Sequence, residues 1–237
     1  MKGHGGHMVT LYIADIALLS SGEAYGKYEK QLDETRLEKV RKCRNEQDKK
    51  RSILAGYLIQ TGVKEKLYGE SGPQADAAPL SLTYIYGEAG KPYLREYPDI
   101  FFSLSHSGDY VLCAFSDREI GADIQEHRVS KGEIHDCARI SARFFSEKDR
   151  QRMVDAVHWG MTEEEMFYRI WSVKEAVMKL DGQGMRRGME MIGLTFQRPD
   201  SGMEENGACF KICDIIKKYS IAVCSDTEIT DIRIRGR

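Results

Sequence analysis

Two stretches of this chain are built alike. Tyr110-Val111-Leu112-Cys113-Ala114-Phe115-Ser116-Asp117 and Tyr219-Ser220-Ile221-Ala222-Val223-Cys224-Ser225-Asp226 share Tyr, Ser and Asp at matching places, with mostly apolar residues between. Each lies in a region where helical periodicity has given way to strand patterning, so the order helices then strands occurs twice. That order points to an α+β fold of two similar halves meeting near residue 118, and an interface between similar halves is a usual place for a cleft. The expected units are residues 1–118 and 119–237.

Residues 25–70 are charged and nearly free of turn formers, with Leu32, Leu37 and Val40, then Ile53, Leu54, Tyr57 and Leu58, at helical spacing. The pattern predicts two helices broken near Asn45, followed by a loop over residues 69–79. Short strands are expected at 82–86, 101–104, 110–115 and 120–124. Helices are expected at 134–145, 147–158 and 163–180, and strands again at 191–197, 208–215, 219–224 and 229–234. His4 and His7 sit among glycines and read as a disordered tail without function.

With 41% hydrophobic and 30% charged residues in 237, the chain can bury a sizeable core and is neither mostly disordered nor collagenous. No apolar run approaches the roughly 18 residues of a membrane span, and the first residues lack a signal-peptide pattern, so a soluble cytoplasmic protein is expected. A net charge of −2, from 35 Lys+Arg and 37 Asp+Glu, argues against coating nucleic acid, which needs a broad basic surface. The six cysteines form no CxxC and no zinc-finger spacing with His, and read as reduced thiols.

Four constellations carry possible chemistry. In Ile120-Gly121-Ala122-Asp123-Ile124-Gln125, alternation sends Gly121, Asp123 and Gln125 to one face of a strand. Two side-chain oxygens beside a glycine suit a hard cation such as Mg2+, although an isolated D-x-Q is more often a solvated strand face. In the helix holding Trp171-Ser172-Val173-Lys174-Glu175-Ala176-Val177-Met178-Lys179, Lys174 falls near the centre of the apolar arc and needs a partner. Glu175 and Lys179 form an i,i+4 pair at its edge. Ser103-Leu104-Ser105-His106-Ser107-Gly108 reads as a polar turn between apolar strands. Lys39, Arg41, Lys42, Arg44, Lys49, Lys50 and Arg51, with Ser52, form a basic cluster that is either a solvated helix surface or a seat for a phosphate monoester.

In this order, the four resemble the 4'-phosphopantetheinyl transferases of the surfactin-synthetase-activating type. The likeness extends to Lys42-Cys43-Arg44, Asp48, Arg51-Ser52, Gly90-Lys91-Pro92, Arg143-Phe144-Phe145-Ser146 and Gly182-Gln183-Gly184-Met185. W-x-x-K-E-x-x-x-K downstream of G-x-D is specific as a pair, whereas neither half is specific alone. The resemblance implies a monomeric pseudo-dimer of two α+β halves with coenzyme A in the cleft between them. It implies transfer of the phosphopantetheine arm to a serine of an acyl or peptidyl carrier protein, with release of adenosine 3',5'-bisphosphate. By the same likeness Asp123, Gln125 and Glu175 would hold Mg2+, Glu175 would accept the serine proton, and Lys179 would stabilise the transition state. Lys174 and His106 would contact the pyrophosphate, and Ser105 would take part in binding coenzyme A. Lys39, Lys42 and Ser52 would hold the 3'-phosphate, and Gly90, Lys91 and Pro92 would line the adenine pocket.

Gln125 departs from the family pattern, which commonly has a second acid there; an amide still offers a carbonyl oxygen but no charge. The stretch 126–139 reads as a long connection that contacts the carrier protein. Two other readings compete: a Mg2+-dependent nuclease, which the absence of a long basic face disfavours, and a coenzyme A sensor that binds without transferring.

Overall fold

The computed structural model describes residues 6–70, 78–127, 135–184 and 188–236. His4, Met185, much of the 69–79 loop and the centre of the 126–139 connection lie outside the described residues. The chain is a mixed α and β protein, as its periodicities require. Strand β1 (His7–Asp15) opens it, followed by helices α1 (Gly22–Glu29), α2 (Glu34–Lys42) and α3 (Glu46–Tyr68). A small hairpin of β2 (Tyr84–Tyr86) and β3 (Pro92–Leu94) precedes β4 (Phe101–Ser107), β5 (Tyr110–Ser116) and β6 (Ile120–Glu126). Helices α4 (His135–Phe144), α5 (Glu147–Asp155) and α6 (Glu163–Asp181) follow. The chain then forms β7 (Leu194–Arg198), β8 (Ser201–Glu204), β9 (Cys209–Cys213), β10 (Tyr219–Ser225) and β11 (Ile229–Arg235).

Capping explains the helix starts. Asp33 caps α2, and Asn45, where the sequence predicts a break, caps α3 by accepting from the backbone of Gln47 and Asp48. Thr162 and Glu165 form a capping box at the start of α6, and Gly182, at φ 64°, ends it in the left-handed conformation.

The strands form a four-stranded sheet in the order β11-β1-β5-β4 and a five-stranded sheet in the order β6-β10-β9-β8-β7. Alternation divides the core into three layers. Tyr12, Val111, Cys113 and Phe115 face α1 to α3, whereas Ala222 and Cys224 face α6 and its neighbours. Between the sheets, Val9, Leu11, Ile13, Leu112 and Ala114 meet Ile120, Ala122, Ile124, Ile221 and Val223. The two similar stretches thus become β5 and β10, each lying second from the edge strand β4 or β6 of its own sheet. Strand β11 crosses the expected division at residue 118, pairing in parallel with β1.

Two expectations need correction. His7 does not belong to a disordered tail: it begins β1, is buried, and its Nδ1 lies 3.1 Å from the Glu228 carbonyl oxygen. Ser103 to Ser107 do not form a turn but lie within β4, and the chain reverses at the following Gly108 and Asp109. No described helix is long and apolar enough to cross a membrane.

Candidate active site

Edge strands β4 and β6 lie side by side, joined by serine hydroxyls of β4. Ser103 Oγ accepts from the Ala122 N–H at 2.9 Å, Ser105 Oγ donates to Asp123 Oδ1 at 2.6 Å, and Ser107 Oγ accepts from the Glu126 N–H at 3.0 Å. This seam explains the alternating serines: their face of the strand meets polar groups of β6. It also brings Ser105 and His106 alongside Asp123 and Gln125.

Helix α6 closes on the same strand because Gly121 has no side chain. A Cβ there would stand 1.9 Å from the Ala176 carbonyl oxygen and 2.5 Å from the Leu180 nitrogen, both backbone atoms. The close approach presents Glu175 and Lys179, one helical turn apart, to Asp123. Lys179 Nζ lies 2.7 Å from Asp123 Oδ1. Asp123 is 2% exposed, and its Oδ2 is buried without a hydrogen-bond partner. Glu175 is pushed above the ordinary carboxylate range, first by burial and then by the Asp123 charge, with Lys179 opposing.

These groups line a cleft of about 720 Å3 whose walls include Ser52, Ser105, His106, Asp123, Gln125, Glu175 and Lys179. The His106 side chain opens to the cleft. Desolvation by the surrounding protein, together with the positive charges of Arg51 and Lys179, holds its imidazole below the usual histidine range. A smaller adjoining cavity of about 230 Å3 is lined by Gly90, Lys91, Pro92, Gly182 and Gly184, with Leu104 and Lys179 common to both. The Lys91 ammonium donates to the Leu180 carbonyl at 2.8 Å and pairs with Glu119, so its charge is already engaged.

Lys174 departs from the expected pyrophosphate contact. Its side chain is fully buried, and its ammonium reaches Asp149 Oδ2 at 2.7 Å, the Met189 carbonyl at 2.8 Å and the Ile192 carbonyl at 2.7 Å. All three ammonium protons are satisfied inside the protein, so its partner is a carboxylate of α5. The two lysines of the basic cluster also stay out of the cleft wall. Lys39 is exposed and donates to the Tyr86 hydroxyl at 2.8 Å, and Lys42 is exposed on α2. Their helix instead turns Arg36 and Cys43, seven residues apart and therefore on one face, toward the cleft. Arg36 was missed because nothing in its sequence neighbourhood separates it from the surrounding charges; the helical register of Arg36, Val40 and Cys43 is the signal that could have found it. Arg51 also lines the cleft, donating to the Gly108 carbonyl at 2.8 and 3.0 Å and to Asp48 at 2.8 Å.

Among the described residues no group of three or more His, Cys, Asp or Glu could hold a metal ion. The donors that do converge are two carboxylates and an amide, a set that fits a hard cation retaining waters and leaning on a substrate's phosphates. The unpartnered, buried Oδ2 of Asp123 is the observation that favours that fit.

A family model described as the 4'-phosphopantetheinyl transferase superfamily matches residues 119–224. The chain is similar to 4'-phosphopantetheinyl transferase Sfp of Bacillus subtilis, 28% identical over 200 residues covering 79% of this chain and 80% of that protein. It is 34% identical over 187 residues to 4'-phosphopantetheinyl transferase psf-1 of Bacillus pumilus, covering 75% of this chain and 72% of the relative. With 4'-phosphopantetheinyl transferase AcpT of Escherichia coli O157:H7 it shares 39% identity over 191 residues, 76% of this chain and 89% of the relative. Identity at these levels over most of both chains, together with the family match on the half that carries Asp123, Glu175 and Lys179, shows that this chain belongs to the 4'-phosphopantetheinyl transferase family of enzymes.

Proposed function

We propose that the protein transfers the 4'-phosphopantetheine group of coenzyme A to a serine of an acyl or peptidyl carrier protein and releases adenosine 3',5'-bisphosphate. The observation that carries this reading is the convergence of Asp123, Glu175, Lys179 and His106 on one cleft, with a buried carboxylate oxygen unpartnered. Such a site suits a pyrophosphate better than a neutral ligand, because the ammonium of Lys179 and the imidazole of His106 stand beside the carboxylates.

Asp123 and Glu175, with the Gln125 carbonyl oxygen, are the residues that would hold Mg2+. When bound there, the ion supplies neutralisation of the charge on the pyrophosphate. The chain's own residues do the rest. Glu175, raised above the ordinary carboxylate range, accepts the proton of the carrier serine as that oxygen attacks the pantetheine-side phosphorus. The bond from that phosphorus to the bridging oxygen breaks, and the nucleotide leaves with the electron pair. Lys179 stabilises the charge that grows on the transferred group and on the leaving phosphate. His106, held below the usual histidine range in the free protein, takes up a proton as the pyrophosphate arrives and donates a hydrogen bond to it. Gly90, Lys91 and Pro92 form the floor for adenine, with the Lys91 side chain packing as a wall. Ser52 lies at the phosphate-binding end, and exposed Lys39 and Lys42 add positive potential that draws in the polyanion.

In the same reading, residues 1–118 and 119–237 form a pseudo-dimer, supported by the matching places of β5 and β10 beside the seam. The enzyme acts as a cytoplasmic monomer, and the 126–139 connection, whose centre is outside the described residues, contacts the carrier protein in this reading. Incubation with coenzyme A, Mg2+ and an apo carrier protein, followed by intact-mass measurement of the carrier, tests the reading. One phosphopantetheine added to the carrier is the expected result. An unmodified carrier, with coenzyme A bound, would leave a sensor, and cleavage of nucleic acid instead would leave a nuclease.

A further inference from the structure

We infer that Glu119 is a positioning residue for coenzyme A: through its ion pair with Lys91 it fixes the wall of the smaller cavity that takes the adenine, without itself touching the nucleotide. The inference rests on the function proposed above and gives a role to a residue outside the motifs that carry the family resemblance.

The cavity of about 230 Å3 lies between two parts of the chain that are distant in sequence. Gly90, Lys91 and Pro92 belong to the β2–β3 hairpin, and Lys179 and Gly182 to the end of α6. The hairpin is a two-stranded sheet of its own, so side-chain contacts rather than ladder hydrogen bonds hold it to α6. Lys91 spans that gap. Its side chain is 7% exposed, and its ammonium donates to the Leu180 carbonyl at 2.8 Å, one of the last carbonyls of α6, which the helix leaves without an N–H partner of its own. A Cβ on Gly182 would stand 3.5 Å from Lys91 Cδ, so the lysine stem lies against the chain just beyond the helix.

Glu119 holds the ammonium in place. It stands immediately before β6, and its backbone carbonyl accepts the hydroxyl of Ser225 on β10 at 3.0 Å. Its Oε2 pairs with the Lys91 ammonium, and its Oε1 accepts the Tyr93 hydroxyl at 3.0 Å. Lys91 and Tyr93 are two residues apart, so strand alternation sends both to one carboxylate. Glu119 itself lies outside the cavity lining. A lysine this deeply covered is costly without a counter-charge, and the Leu180 carbonyl supplies a hydrogen bond but no charge. Without the carboxylate the ammonium turns to water and carries its long stem off the cavity wall. Lys179 lines both this cavity and the main cleft, so the same ion pair also sets where adenine lies relative to that catalytic ammonium.

Calorimetric binding of adenosine 3',5'-bisphosphate to the full chain, in a cycle of Glu119→Ala, Lys91→Met and the double variant, tests the role. Glu119→Ala is expected to weaken the bisphosphate by about tenfold, the scale of a lost hydrogen bond to a charged group. The KM for coenzyme A should rise by a similar factor, with kcat at saturation within about threefold of the unaltered enzyme. In the Lys91→Met background, Glu119→Ala should cost less than about twofold more, because the carboxylate acts through the ammonium. No loss, additive losses, or a fall in kcat at unchanged KM would overturn the inference. Thermal unfolding without ligand checks that each variant is folded. If Glu119→Ala is not, Glu119→Gln, which keeps an acceptor for Lys91 and Tyr93 but no charge, must show the same non-additive loss, and an additive one counts against the role. Failure of the unaltered protein to bind the bisphosphate would instead refute the coenzyme A reading itself.

Discussion

Lys179 Nζ and Asp123 Oδ1 are 2.7 Å apart, and that same oxygen accepts the Ser105 hydroxyl at 2.6 Å. One carboxylate oxygen is therefore doubly engaged while the other, Oδ2, is buried and unpartnered. The asymmetry leaves Oδ2 as the oxygen without a hydrogen-bond partner. Lys179 and Ser105 together set the carboxylate's orientation.

Gln125 lines the same cleft, as strand alternation requires, with Ser107 Oγ 3.5 Å from its amide oxygen. Gln125→Glu adds a negative charge beside Asp123 and is expected to lower the Mg2+ concentration for half-maximal transfer. The maximal rate should rise little or fall, because the added anion weakens the positive field offered to the pyrophosphate. A Mg2+ titration of transfer with an unchanged half-saturation point would place this side chain beyond the metal's reach.

Gly121→Ala is expected to cost about 1–3 kcal/mol or more, because the new methyl group would meet the backbone of α6 at Ala176 and Leu180, which can yield only by moving the helix. Since that helix carries Glu175 and Lys179, transfer should fall together with the melting temperature. A variant with unaltered melting temperature and rate would show that the helix and strand have room for a methyl group at this position.

Lys174→Met leaves Asp149 as an uncompensated buried charge, with an expected destabilisation of about 3–5 kcal/mol. Lys174→Met/Asp149→Leu should recover much of that loss, since a well-packed apolar pair can replace a buried ion pair. At temperatures where the variant remains folded, its KM for coenzyme A should stay close to that of the unaltered enzyme. A raised KM with unchanged stability would return Lys174 to the pyrophosphate.

The difference between Lys174 and its expected role shows what the sequence could carry. Its place in the apolar arc of α6 correctly demands a partner, but periodicity cannot say whether that partner is a substrate or a carboxylate on another helix. Asp149 is distant in sequence, on α5, where it also forms a capping box with Ser146. The paired positions Asp123 and Gln125, the i,i+4 pair Glu175 and Lys179, and the break at Asn45 were legible because each follows from a local period or cap. Strand β1 was not, since it is buried on both faces and shows no alternation. Strand β8 is short and contains Gly202, so it reads as loop. The serines of β4 read as a turn because their polar partner, β6, becomes adjacent only in the fold.

His106 is held below the usual histidine range by desolvation and by the positive charges of Arg51 and Lys179, so it is neutral near pH 7 in the free protein. An arriving pyrophosphate favours the imidazolium and raises that value, so binding takes up a proton. Coenzyme A affinity should therefore increase as pH falls from about 7 toward 6. Calorimetry in buffers of different ionisation enthalpy should detect the uptake, and His106→Gln should remove it. Equal uptake in the variant would assign the proton elsewhere.

In the proposed reaction Asp123 and Glu175 form the acidic face on which the pyrophosphate of coenzyme A is cleaved. Carrier mass gain and released adenosine 3',5'-bisphosphate, measured together with Mg2+ for the unaltered enzyme, Asp123→Ala and Glu175→Ala, decide this. One nucleotide released per modified carrier is predicted for the unaltered enzyme, with both signals lost in each folded variant. Near-normal transfer by either variant would exclude that carboxylate from the reaction.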